Sequence, residues 1–344
     1  VDFTFTEEHL AAVEAASAVF SGVAPDAVPS PARTAGAVAD DFDRPLWARL
    51  ADSDLLGLVL PAEHGGAGLD PIALCLVLRE SAKVLARVPL LETCAVAMAV
   101  ERYGSPGLCT EVLPRVGRGD LVLTAAANGR TGHGPAESAV TARRPAGSAG
   151  GWVLDGMQTA VPWAQCADRI AVPARAGDDR TVLALVPRTR DGLTLAEQVS
   201  TSGERLAEVR LEAVRIEEGE VIDAPEAWEW LRGLLATGTC ALALGIGERV
   251  LAMTGEYTGR REQFGFPVAT FQAVAVQAAD RYIDLRAMEA TLWQAAWRIT
   301  TGSDGVLPSA GDIAVAKIWA SEGVRRVVQT AQHLHGGFGA DVDY

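Results

Sequence analysis

The spacing of hydrophobic residues changes twice along this chain, and a fold must accommodate both changes. From Glu7 to about Gly119 apolar residues recur at helical spacing: Leu10, Val13, Val19 and Phe20 set the pattern, and Pro45–Leu56 repeats it. Pro71–Tyr103 is a longer apolar-rich stretch interrupted near Pro89. A proline without an N–H ends or kinks a helix, so two helices are predicted there. From Asp120 to about Ile222 the pattern becomes short β-branched runs between turn residues, as at 138–141, 151–155, 169–172 and 181–186. Leu206–Ile216 closes that section with the apolar–polar alternation of a strand burying one face. From Ala227 onward helices return in three long segments, divided by Pro267 and by the Gly/Ser/Pro stretch 302–309, the third running from near Ala310 to near Gly336. The chain therefore reads as mostly α with a central β-domain: N-terminal helices over 1–119, a β-domain over 120–222 and a C-terminal helical bundle over 223–344.

Charge and cysteine usage narrow the classes of function. Lys and Arg total 30 against 44 Asp and Glu, a formal charge of −14, which repels nucleic acid and anionic lipid alike. A coenzyme A thioester stays admissible, because a few arginines and helix termini hold phosphates inside an acidic protein. Cys75, Cys94, Cys109, Cys166 and Cys240 are scattered, without the Cys-x-x-Cys spacing of a metal or redox site, and read as small buried hydrophobes. No apolar run is read as a membrane span, and Val1–Leu10 opens with acidic residues where an export signal carries basic ones. A cytoplasmic protein without a metal is expected.

Three further segments carry chemistry. Pro61–Asp70 (PAEHGGAGLD) reads first as a close-packed structural turn. Arg260–Gln272 (RREQFGFPVATFQ) sets an arginine and a phenylalanine three residues apart, able to bond a pyrophosphate and to face an aromatic ring. Gln332–Gly339 (QHLHGGFG) supplies glycines that let a phosphate approach the backbone. With Trp152–Gly156 (WVLDG) in the middle section, these segments in this order resemble the acyl-CoA dehydrogenase family over nearly the whole chain. The resemblance implies an N-terminal helical domain, a middle β-barrel, a C-terminal four-helix bundle and FAD at a subunit interface. It assigns Arg261, Gln263, Phe264 and Gln272 to FAD, and His333, Gly336 and Gly337 to the FAD of a neighbouring subunit. Taken singly, Arg261 reads as a surface cation and Phe264 as a core anchor; His335 reads as a histidine packed at a helix end.

The departures from the family pattern are uneven. The reaction needs a carboxylate to take the α-proton of the thioester while hydride leaves the β carbon. One family position for it lies about two dozen residues past the His-Gly-Gly turn, beyond Tyr344. The other, roughly seven helical turns before Arg261, holds Leu235. Glu226, Glu229, Glu248 and Glu256 read as solvated or helix-end charges, so no catalytic residue is assigned. After the first strand Thr124–Gly132 (TAAANGRTG) replaces the family's hydroxyl- and carboxyl-rich loop, and Ala160–Trp163 (AVPW) places Pro162 where a threonine would bond the flavin ring. The pattern resembles one half of the paired α2β2 acyl-CoA dehydrogenases of actinobacteria, many linked to steroid side-chain breakdown. The expected activity is formation of an α,β double bond in an acyl-CoA, with a steroid side-chain thioester the substrate the paired-subunit resemblance suggests, and with electrons passing to an electron-transfer flavoprotein. The alternative is a non-catalytic partner supplying architecture and part of the FAD interface. The assembly is expected to be a homo- or heterotetramer.

Overall fold

The computed structural model describes residues 4–24, 34, 36–39, 42–131, 139–145, 150–177, 180–301 and 309–341. Val1–Phe3, Gly132, Ser138 and nearly all of the 302–309 stretch lie outside the described residues. The helices are α1 (Glu7–Phe20), α2 (Arg44–Asp52), α3 (Pro71–Ala82), α4 (Leu90–Tyr103), α5 (Pro106–Gly117), α6 (Ala227–Arg260), α7 (Gln272–Thr301) and α8 (Ser309–His335). Local chemistry starts several of them. The Asp43 carboxylate accepts from Leu46 N at 2.9 Å, that of Asp70 accepts from Ile72 N at 2.9 Å, and Ser105 caps α5, each with a proline in the first turn. The break near Pro89 separates α3 from α4, as the sequence predicts.

The middle section forms β1 (Leu123–Ala125), β2 (Val140–Arg143), β3 (Trp152–Pro162), β4 (Arg169–Ala176), β5 (Arg180–Pro187), β6 (Leu193–Val199), β7 (Arg205–Ile216) and β8 (Val221–Ile222) in one eight-stranded sheet. Its path is β6-β7-β3-β2-β4-β5-β8, antiparallel except where β1 and β2 each pair in parallel with β4. Among the described residues β6 and β8 end the path. One face is filled by Val140, Leu154, Val161, Ile170, Val172, Val182, Val186, Val209 and Leu211. β4 and β5 are apolar on both faces because their other face is also covered, as Ala171, Leu183 and Leu185 show at 0% exposure.

The described residues form two compact units, each drawn from separated stretches of chain. The first holds Val1–Pro25, Asp70–Ala86 and Ala236–Tyr344, hence α1, α3, most of α6, and α7 and α8; the second holds Asp26–Leu69 and Arg87–Leu235, hence α2, α4, α5 and the sheet. In the helical unit α7 packs along α8, and α3 packs on α1 and α7. Among the described residues the C-terminal section holds three long helices, α6, α7 and α8. Gly245 of α6 crosses α3 so closely that a Cβ would lie 2.1 Å from the Arg79 carbonyl oxygen. Arg79 Nε then donates to Glu248 at 2.7 Å, with Lys83 3.8 Å away. Glu248 is thus a tie to α3 rather than a solvated charge; Glu229 and Glu256 pair along their own helix with Arg232 and Arg260.

One expectation needs correcting. By length and composition α6 is apolar enough to cross a membrane, with a mean hydropathy of 1.4 over its best window. Its Leu234, Ala241 and Leu244 are buried within the protein at 0% exposure, which is how a core helix acquires such a composition. The Pro61–Asp70 turn is structural, as read: a Cβ on Gly66 would meet the Leu60 carbonyl oxygen at 2.0 Å.

Candidate cofactor-binding site

At its C-terminal end α6 runs into a hairpin of β9 (Glu262–Gln263) and β10 (Phe266–Pro267). Arg261 N continues the helix by donating to Tyr257 O at 2.8 Å, and Arg261 O accepts from Val268 N at 2.7 Å. The backbone of Arg261 is therefore fixed, while its exposed guanidinium makes no ion pair among the described residues. The two turn residues, Phe264 and Gly265, have φ of +54° and +81°, the primed two-residue turn that suits a tight hairpin. Glycine takes that conformation freely, but a phenylalanine is strained in it. The strain presents the Phe264 ring to solvent at 91% exposure, edge-on to Phe271 at 6.4 Å. Gln263 and Gln272, the first residue of α7, are exposed beside it.

The glycine turn lies close by in the same chain. His335 ends α8, is buried, and stacks on Tyr257 at 4.4 Å between centroids with an 11° interplanar angle. The Tyr257 hydroxyl donates to His335 O at 3.4 Å. Desolvation holds the His335 imidazole below its ordinary pKa, so it packs as a neutral ring. Gly336 follows with φ +64°; a Cβ on Gly336 or on Gly337 would meet nothing within 4 Å, and His333 is exposed one turn earlier. The resemblance divides these residues between two subunits' cofactors. In this structure Tyr257 and His335 bring Arg261–Phe264 and Gly336–Gly337 to one end of one bundle. No sequence signal pairs Tyr257 with His335, and Phe271 and Phe338, also exposed there, stand out only as aromatics flanking the motifs.

The sheet unit holds the segments that the resemblance sets against the flavin ring, and their polar groups are already engaged. Thr124 Oγ1 donates to Pro162 O at 2.6 Å, Asn128 Nδ2 to Ala160 O at 2.9 Å, and Gly129 N to Gln158 Oε1 at 2.7 Å. Ala160, with φ +50°, sits in a bulge of β3 where Gln198 Oε1 takes its N–H at 2.8 Å.

Two family models match the chain: the acyl-CoA dehydrogenase N-terminal domain over residues 6–120 and the C-terminal domain over 234–344. The acyl-CoA dehydrogenase FadE27 of Mycobacterium tuberculosis is 34% identical over 100% of this chain and 91% of its own length. The chain belongs to the acyl-CoA dehydrogenase family. Its fold matches a chain of the ChsE4-ChsE5 complex of Mycobacterium tuberculosis with a TM-score of 0.88 and 33% identity, covering 100% of this chain and 90% of that one. A variant of the Tcur3481-Tcur3483 steroid ACAD matches with a TM-score of 0.87 and 34% identity, covering 98% of this chain and 89% of the other.

Judged as an acyl-CoA dehydrogenase, the chain carries in its helical unit residues whose chemistry suits part of FAD. A free guanidinium, an exposed ring held in a strained turn and an open glycine turn suit the phosphates and aromatic system of a dinucleotide. The β3 end does not suit the flavin ring, since Pro162 has no N–H and the nearby side-chain donors are spent on the fold. No carboxylate stands at 235, where Leu235 is half-buried. One unusual carboxylate escaped the sequence reading: Glu92, in the first turn of α4, whose pKa burial raises to about 7. Among the described residues no cluster of His, Cys, Asp or Glu could hold a metal.

Proposed function

We propose that this chain is one subunit of a heteromeric, FAD-dependent acyl-CoA dehydrogenase, in which it grips the phosphate end of the dinucleotide. Arg261, Gln263, Phe264 and Gln272 would hold one FAD, and His333, Gly336 and Gly337 the FAD of a neighbouring subunit; the carrying observation is the Arg261 guanidinium, without an ion pair among the described residues, beside the strained, exposed Phe264. The chemistry that bound FAD would supply is the acceptance of the hydride leaving the substrate's β carbon. The residues of this chain bind and orient: Arg261 neutralises phosphate charge, Phe264 stacks, and the glycine turn admits close approach. Leu235 can take no proton, so the α-proton would be taken by a carboxylate at another position, which an unlike subunit could supply. The partner-subunit form of the reading draws its support from Leu235, from Pro162 and from the engaged polar groups around β3.

A steroid side-chain thioester is the substrate class we assign to the assembly, by analogy with the steroid ACAD named above. Electrons would leave through an electron-transfer flavoprotein. The reaction would run in the cytoplasm, where free thiols persist: Cys75, Cys94, Cys109 and Cys240 are buried and Cys166 half-buried, all unbridged. The test is to express the chain alone and with the acyl-CoA dehydrogenase encoded beside it, then to measure bound flavin and dye reduction with acyl-CoAs. Flavin and turnover in the co-expressed complex support the reading; neither flavin nor turnover in either preparation overturns it.

A further inference from the structure

Tyr257, in the last turn of α6, is bonded to both cofactor grips of this chain, by its main chain to one and by its side chain to the other. Its carbonyl oxygen accepts from Arg261 N at 2.8 Å, and the Arg261 carbonyl accepts in turn from Val268 N at 2.7 Å. The hairpin that carries Gln263 and Phe264 therefore hangs from this turn of α6. The Tyr257 ring lies flat on His335, 4.4 Å between centroids and 11° between planes, and its hydroxyl donates to the His335 carbonyl at 3.4 Å. His335 is the last residue of α8, and the backbone becomes left-handed at Gly336, φ +64°. The far end of the glycine turn is seated elsewhere. Gly339 lies so close to α8 that a Cβ there would meet the Gln332 carbonyl oxygen at 2.2 Å, and Asp341 N donates to Phe338 O at 3.0 Å. The entrance, Gly336–Gly337, is set by His335, and His335 leans on Tyr257.

We propose that Tyr257 is a positioning residue that couples the two cofactors this chain contacts, so that FAD held at Arg261 readies the glycine turn for the FAD of the neighbouring subunit. The inference rests on the FAD reading above and adds to it a linkage between sites. A phosphate bonded by Arg261 orders the terminal turn of α6, which otherwise frays as helix ends do. Ordering that turn fixes the plane of the Tyr257 ring, and the flat stack passes that plane to His335. The glycine turn has the most freedom to lose, since glycine gives up more conformational entropy than any other residue when it is fixed. Once the first cofactor has met part of that cost the second meets less, and binding is positively cooperative. By reciprocity an occupied glycine turn raises the affinity at Arg261 by the same factor. Both grips lie in the helical unit, so the coupling runs within one compact body.

The test is titration of FAD into the flavin-free complex of this chain with its co-expressed partner, read by the quenching of flavin fluorescence. The wild-type isotherm should be sigmoidal, with the second FAD binding at least about fivefold tighter than the first. Tyr257→Phe keeps the stack and should keep the sigmoid. Tyr257→Leu, and His335→Leu from the other side of the stack, should give a simple hyperbola at an affinity near that of the first site. A purely structural role would lower affinity and thermal stability in these variants and leave the shape of the isotherm unchanged. A wild-type hyperbola, or a sigmoid that survives in whichever leucine variant folds, overturns the coupling while the FAD reading stands. No FAD uptake by the wild-type complex overturns both.

Discussion

At the scale of single residues, the cofactor grip rests on groups that the fold leaves unspent. Replacing Arg261 by Gln removes a charge-assisted contact of about 2 kcal/mol, so FAD affinity in the co-expressed complex should fall roughly 30-fold, read by flavin release on dilution. Phe264→Gly should relieve the +54° strain, raising thermal stability slightly while weakening FAD retention; a variant that retained flavin fully would show that the ring makes no contact. Glu92 gives a pH prediction with a definite sign. Its carboxyl titrates near 4.5 unfolded and about 7 folded, so the stabilisation present below pH 4.5 is lost as pH rises to 7. Relative to Glu92→Gln, the wild-type chain should lose roughly 3 kcal/mol between pH 4.5 and 8 in urea unfolding. Arg261 and Phe264 are singled out in the sequence by the resemblance of their segment to the family's Arg-x-x-Phe-Gly. Glu92 is not: a Glu in a helix's first turn reads as a dipole complement, and burial, with the charge of Glu204 a lesser cause, is what raises its pKa in the fold.

At the scale of elements, α6 offers two glycines with opposite expectations. Gly245→Ala drives a methyl into the Arg79 carbonyl and should destabilise by about 3 kcal/mol, whereas Gly255, with nothing within 4 Å of its Cβ position, should gain about 0.5–1 kcal/mol on the same change. Thermal unfolding of the two variants checks both signs. Helix limits were largely legible, since prolines and caps punctuate them: Pro89 divides α3 from α4 and Pro267 precedes α7. The length of β3 was not. Read from sequence, this strand ends at Asp155, before the turn-favouring Gly156, yet the ladder continues through two bulges to Pro162 because β7 follows the irregularity. The short β1 and the polar β6 also lack an apolar alternation strong enough to announce them.

At the scale of the whole molecule, the order helical, β, helical was visible as changes of period, but the grouping of helices was not, because the contacts of α3 with α7 join residues far apart in sequence. Native mass spectrometry of the co-expressed pair should show a tetramer containing both chains, and bulky steroid thioesters should outcompete a short straight-chain acyl-CoA in dye reduction. Because α1 and α3 complete their burial only against helices near the other end of the chain, a ribosome must deliver the entire sheet unit before the helical unit can close. Newborn chains would therefore travel with two orphaned greasy helices trailing from an already folded lump, a natural client for whichever chaperone waits at the exit tunnel.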